Sequence, residues 1–116
     1  MQEINQEMRQ CISTCLNCHR ICTETASHCL EMGGKHADPA HLRFLNDCAQ
    51  ICVTCADFML RTSDFHSDVC RVCAEICKSC GDKCAQMADG DSTMQECADA
   101  CRRCAQSCES MAGAAA

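Results

Sequence analysis

Cysteine recurs along this chain at a spacing that only one kind of local structure keeps in register. The segment CRVCAEICKSCGDKC, residues 70 to 84, places Cys70, Cys73, Cys77, Cys80 and Cys84 at gaps of three, four, three and four. Three further groups keep the same rhythm, apart from one gap of seven between Cys22 and Cys29: Cys11, Cys15, Cys18, Cys22 and Cys29; Cys48, Cys52 and Cys55; and Cys97, Cys101, Cys104 and Cys108. At ~100° per residue, such steps hold side chains on one face of an α-helix. The first group falls within an arc of roughly 60° and the third within roughly 80°. A strand would scatter the same residues over both of its faces. The spacing therefore predicts four helices, each with a stripe of thiols.

The signals between the groups agree. Gly33 and Gly34 are placed to stop one helix, and Asp38 followed by Pro39 reads as an N-cap with proline at the first helical position. Gly90 breaks the chain before Ser92, which with Gln95 forms a possible capping box. Ser63 and Ser67 are cap candidates in the remaining connection. Helices are expected over residues 3–32, 39–61, 66–88 and 92–112, with 113–116 as a frayed tail. Connections this short imply antiparallel neighbours, so the predicted fold is all-α, an up-down four-helix bundle forming one domain over 1–112.

What fills its interior is the unusual part. Leu, Ile, Val and Phe number only 16 of 116 residues, against 17 cysteines, 15 alanines and seven methionines. A share below ~20% for those four types ordinarily leaves too little to build a core. Reduced cysteine behaves as a small, readily buried hydrophobe, and polar residues such as Arg20, Glu24, Lys78, Asp82 and Arg103 occupy the opposite faces. The thiol stripes are therefore expected to face inward and line the bundle axis. Ile12, Leu16, Leu30, Leu42, Ala49, Val53, Leu60, Val69, Val72 and Ile76 flank the stripes and are expected between neighbouring helices, or else at a subunit interface.

A net charge of −6 without a basic patch argues against nucleic acid or an anionic membrane as partner. No apolar run approaches the ~20 residues of a membrane span. The polar start MQEINQEMRQ shows no apolar signal segment, which sets the expectation of a cytosolic protein. No lone cysteine is set against a base in the pattern of a nucleophile, so catalysis is not expected.

Four chemistries suit a cysteine-rich chain. A disulfide framework is disfavoured because the count is odd and i,i+3 or i,i+4 cysteines hold their Cβ atoms ~5–6 Å apart, beyond disulfide reach. Iron–sulfur clusters use loop-borne runs unlike this one. Four Zn(Cys)4 sites would bury a charge of roughly −8. Cu(I) is soft, is selected by thiolate and thioether, and is neutralised one for one by thiolate. Proton loss on loading would make its affinity fall with acid. A zinc-binding or thiol-redox-responsive helical interaction module remains the alternative.

Methionines extend the stripes: Met59 after Cys55, Met87 after Cys84, Met94 before Cys97 and Met111 after Cys108. His41 lies on the thiol face seven residues before Cys48, and His66 lies on that face near the opposite end. His19, His28 and His36 lie off the stripe and are expected in solvent. One bundle end gathers Met32, His41, Met87 and Met94, the candidate mouth for metal entry. The other gathers Met8, Met59, His66 and Met111.

The segments CISTCLNCHRIC, CAQICVTCADFML, CRVCAEICKSCGDKC and ECADACRRCAQSC together resemble the cytosolic copper storage protein family over essentially the whole chain. The resemblance implies a homotetramer of bundles, each storing many Cu(I) ions in its own core, held mostly by pairs of thiolates. It makes all seventeen cysteines candidate ligands and implies a mouth near the connection between the third and fourth helices. Relatives often place histidine there; this chain has Met87 and Met94, with no histidine between Lys83 and Cys97. A copper chaperone or a small-molecule chelator is the implied exchange partner.

Overall fold

The computed structural model describes residues 4–114. The regular structure among them is helical throughout: α1 (Gln6–Met32), α2 (Pro39–Leu60), α3 (His66–Ala88) and α4 (Ser92–Ala114), with a single 3₁₀ turn, Gly34–Ala37, between α1 and α2. α1 and α3 flank α2, and α1 and α3 also flank α4, so the helices form a ring in chain order. Contacts fix their direction. His19 meets Ala49 and Cys29 meets His41, while Cys11 meets Cys108 and Cys22 meets Cys97. Cys48 meets Cys77, and Cys55 meets Cys70. Rising numbers on one helix run against falling numbers on the next, which makes every adjacent pair antiparallel. The rod measures 50 × 18 × 18 Å.

Local chemistry sets the helix ends, with some differences from expectation. α1 begins at Gln6 rather than at residue 3, because the Asn5 side chain accepts a 2.8 Å hydrogen bond from the Met8 amide. Residue 3 itself lies outside the described residues. α1 stops at Gly33, whose φ of 69° favours glycine and whose N–H donates to the Cys29 carbonyl. Asp38 caps α2 with Pro39 as its first residue. The cap of α4 is Asp91 and not Ser92: one Asp91 oxygen accepts from the Thr93 and Met94 amides at 2.9 and 3.1 Å. Ser63 accepts from the Phe65 amide ahead of α3, while Ser67 lies within the helix. α4 continues through Gly113 and Ala114, which were expected in a frayed tail; residues 115 and 116 lie outside the described part.

All seventeen cysteines have zero solvent exposure. The inward stripes are therefore the core, and what packs between the helices is largely alanine. Ala26, Ala49, Ala56, Ala74, Ala98 and Ala105 are buried, together with Gly81. A Cβ on Gly81 would lie 3.2–3.3 Å from Arg102 Cγ, the Ala98 carbonyl oxygen and Cys101 Cβ, so this glycine lets α3 and α4 approach closely. Small residues at the seams correct one expectation. Ile12 and Ala49 are buried and Leu42, Val53, Val69 and Ile76 half-buried, but Leu16, Leu30, Leu60 and Val72 stand 41–61% exposed. The seams between alanine-lined helices leave no room for these larger side chains.

Candidate metal centre

Because each stripe occupies one face of its helix and the helices alternate in direction, the sulfurs meet in successive levels along the axis. Near the α2–α3 connection, Cys11 lies 3.9 Å from Cys108 and Cys55 lies 3.5 Å from Cys70. Met8, Met59 and Met111 are buried at the same end. Next come three groups of four thiols, each within 4.8 Å of one another: Cys15, Cys73, Cys104 and Cys108; Cys18, Cys52, Cys77 and Cys104; and Cys18, Cys22, Cys48 and Cys101. Cys18 and Cys104 each belong to two groups, so the levels are continuous and share sulfurs. Individual contacts include Cys52–Cys77 at 3.5 Å, Cys22–Cys101 at 3.6 Å and Cys104–Cys15 at 3.7 Å. Cys97 extends the array, 3.8 Å from Cys22 and 3.9 Å from Cys84, and Cys80 is buried among the same cluster.

All seventeen cysteines are free. The sulfur contacts of 3.5 to 4.0 Å are far beyond the ~2.05 Å of a disulfide. They hold the spacing of thiols in van der Waals and weak hydrogen-bond contact.

The end next to the α1–α2 and α3–α4 connections differs in its donors. Cys29 Sγ lies 3.4 Å from His41 Nε2 and donates to Met94 Sδ at 3.4 Å. His41 Nδ1 is buried and has no hydrogen-bond partner among the described residues. His41 is 1% exposed and Met94 fully buried, whereas Met87 is half-buried at the rim. Met32, expected at this mouth, points to solvent at 54% exposure. The off-stripe histidines are more engaged than expected: His19 Nδ1 bonds the Ala49 carbonyl at 2.8 Å, and His28 Nε2 pairs with Asp91 at 2.8 Å. His36 Nδ1 is buried without a partner among the described residues. The His28–Asp91 pair clamps α1 to the start of α4 directly beside Cys29 and Met94.

Ionisation in this dry array is set by burial and by neighbouring sulfurs. Burial pushes the Cys29 thiol up to about 11 from an ordinary 9.0. Cys97 goes the other way, down to about 5, because hydrogen bonds from Cys101 and Cys22 favour its thiolate. Its partner Cys84 is raised, first by its contact with Cys80 and then by that with Cys97. Burial lowers the pKa of His41 and holds its imidazole neutral at neutral pH, as a metal ligand must be. A thiol raised on folding stabilises the fold fully below its ordinary pKa, and that stabilisation is lost as pH rises through the folded value. The share of stability that Cys29 contributes to the reduced, metal-free protein is therefore expected to be present below about pH 9 and to be lost between about pH 9 and pH 11. Melts followed by circular dichroism across that range check this.

Seventeen buried soft donors from four rigid helices are what a monovalent soft metal requires. The profile of the copper storage protein family matches residues 4–113. The chain belongs to the copper storage protein family. Among solved structures it is similar to a protein of Nitrosospira multiformis, at 47% identity with 94% of this chain and 97% of that one covered, and a TM-score of 0.88. It is also similar to the Cu(I)-bound copper storage protein BsCsp3 of Bacillus subtilis, at 36% identity, 92% and 99% coverage and a TM-score of 0.85. A cysteine-rich protein of the same bacterium is 36% identical over 67 residues, 58% of this chain and 62% of that protein. The four-helix bundle with a cysteine-lined core is thus this storage family's architecture.

Five of the six Cys-Ala pairs, at 48–49, 55–56, 73–74, 97–98 and 104–105, were an unused signal in the sequence; in the sixth, 84–85, the alanine is only half-buried. In each of those five the cysteine faces the axis while the alanine turns into the seam beside it.

Proposed function

We propose that this chain stores Cu(I), binding many ions per chain through the seventeen core thiols, with Cys29, His41, Met87 and Met94 as the entry ligands. The observation that carries the reading is the continuity of the array: quartets share Cys18 and Cys104. Isolated tetrahedral zinc sites each need four thiolates of their own and leave −2 per ion. Cu(I) is satisfied by two or three sulfurs, tolerates bridging and leaves a neutral core at one ion per thiolate. One proton leaves for each thiolate formed, so uptake weakens with acid.

The bundle acts as a store rather than a catalyst, since its donors are sealed in the core with no substrate cleft among them. The four helices work as one domain. Free, fully buried thiols belong to a reducing compartment, which supports a cytoplasmic location. Exposed Leu16, Leu30, Phe44, Leu60, Phe65 and Val72 support assembly with further copies as a homotetramer. A copper chaperone or a small chelator exchanges metal at the His41 end.

Titrating the reduced apoprotein with Cu(I) under anaerobic conditions, against a chromogenic Cu(I) chelator, tests this reading. Tight binding is expected to continue beyond ten equivalents or so, approaching the thiol count. Saturation at a few equivalents, or stronger retention of zinc than of Cu(I), would contradict it. Changing Met87 and Met94 together to leucine is expected to slow loading severalfold while leaving capacity unchanged. Stopped-flow loading of the two proteins makes the comparison.

A further inference from the structure

Beside the His41 end, the 3₁₀ turn and the start of α2 face the last turns of α3 across a cleft of about 670 Å³. His41 lines it, with Met87, Gln86, Lys35, Lys83, Asp38 and the backbone around Gly34 and Pro39. Two features make it more than a surface dent. His41 is nine-tenths buried and more, and its Nδ1 lacks a partner among the described residues. The charges are also the reverse of the chain's. The protein carries −6, yet this cleft presents Lys35 and half-buried Lys83 against one carboxylate. That carboxylate, Asp38, is engaged by the amides of Ala40 and His41 at 3.1 and 3.4 Å. Lys83 lies over the Phe44 ring at 5.6 Å, which steadies its ammonium at the cleft edge.

We propose that this cleft docks an anionic low-molecular-weight Cu(I)–thiol complex, whose carboxylates pair with Lys35 and Lys83 while its metal is presented to His41 and Met87. The inference rests on the storage reading and names the form in which the copper arrives. A cleft of this volume matches a small ligand, in the range of roughly 300–1,000 Å³, and an uncomplexed cation would gain nothing from two lysines at the entrance. Transfer is a ligand exchange without redox change. The bond from Cu(I) to the carrier sulfur breaks and a bond from Cu(I) to Cys29 Sγ forms. The Cys29 proton passes to the departing carrier thiolate, which leaves as a thiol.

The test is loading of the reduced full-length protein by two complexes of matched sulfur chemistry: Cu(I)–mercaptosuccinate, which is anionic, and Cu(I)–mercaptoethanol, whose carrier has no carboxylate. The double substitution Lys35→Gln with Lys83→Gln is expected to raise the half-saturating concentration of the mercaptosuccinate complex about 10-fold, with the maximal rate kept. The mercaptoethanol complex is expected to load both proteins within about twofold of each other, and salt at about 0.5 M to erase the difference seen with mercaptosuccinate. Equal slowing with both complexes, or no slowing with either, would overturn the docking proposal. Final copper capacity is read in the same runs. A low capacity in the unsubstituted protein would defeat the storage reading, whereas full capacity without carrier discrimination would defeat the docking proposal alone.

Discussion

Replacing Cys18, Cys52, Cys77 and Cys104 together with serine is expected to unfold the reduced apoprotein. These four thiols lie within 4.8 Å of one another at the centre of the rod, and each has zero exposure. Serine is close to cysteine in shape, so the change leaves little cavity. It swaps a weakly polar, polarisable group for a hydroxyl that demands a hydrogen-bond partner in a place where the neighbours are sulfur. Burying each hydroxyl costs about 1–3 kcal/mol, so four cost about 4–12 kcal/mol. Small domains have about 5–15 kcal/mol in all. The matching alanine set loses about 1 kcal/mol per site in buried surface and is expected to keep its helical circular dichroism. Urea unfolding of the three proteins should rank cysteine above alanine and alanine above serine. A serine set as stable as the parent would show that these sulfurs are not the hydrophobic core.

Copper loading is expected to act in the opposite direction and more strongly. A ligand that binds only the folded state adds RT ln(1 + [L]/Kd) per site, about 2.7 kcal/mol at a hundredfold excess over Kd. Ten or so such sites on four helices exceed the whole stability of an ordinary domain. The loaded protein should therefore show no melting transition below the boiling point of water, and a strong Cu(I) chelator should restore the apoprotein melt. Far-ultraviolet circular dichroism should barely change on loading, because the helices exist before the metal arrives. A loaded protein that melts with the apoprotein, or helices that form only with copper, would contradict a preassembled store.

The bundle was legible in the sequence because one residue type marks all four buried faces at helical spacing, in steps of three, four and once seven. Asp38–Pro39 and Gly33 gave the α1–α2 boundary for the same reason: their backbone roles depend on local chemistry alone. Where tertiary contacts decide, the sequence was less informative. Ser92 is the better local cap, but Asp91 takes the position because its second oxygen is held by His28 from α1. Leu16, Leu30, Leu60 and Val72 have the spacing of buried residues and are exposed, since alanine and Gly81 set how closely the helices pack. At the mouth, the stripe picked out His41 and Met94, and their convergence on Cys29 follows from the antiparallel register. The lysine-rimmed cleft was not legible, because Lys35 and Lys83 belong to elements that meet only in the folded chain.

The account depends most on a reduced, water-free sulfur interior that is complete before any metal binds. Counting thiols with a bulky, polar disulfide reagent on freshly reduced, metal-free protein measures this directly. Native protein should react at few or none of its seventeen cysteines on the timescale of minutes, and the same sample in denaturant should release all seventeen at once. Rapid reaction of many thiols in the native protein, or a shortfall in denaturant from pairing already present, would contradict it.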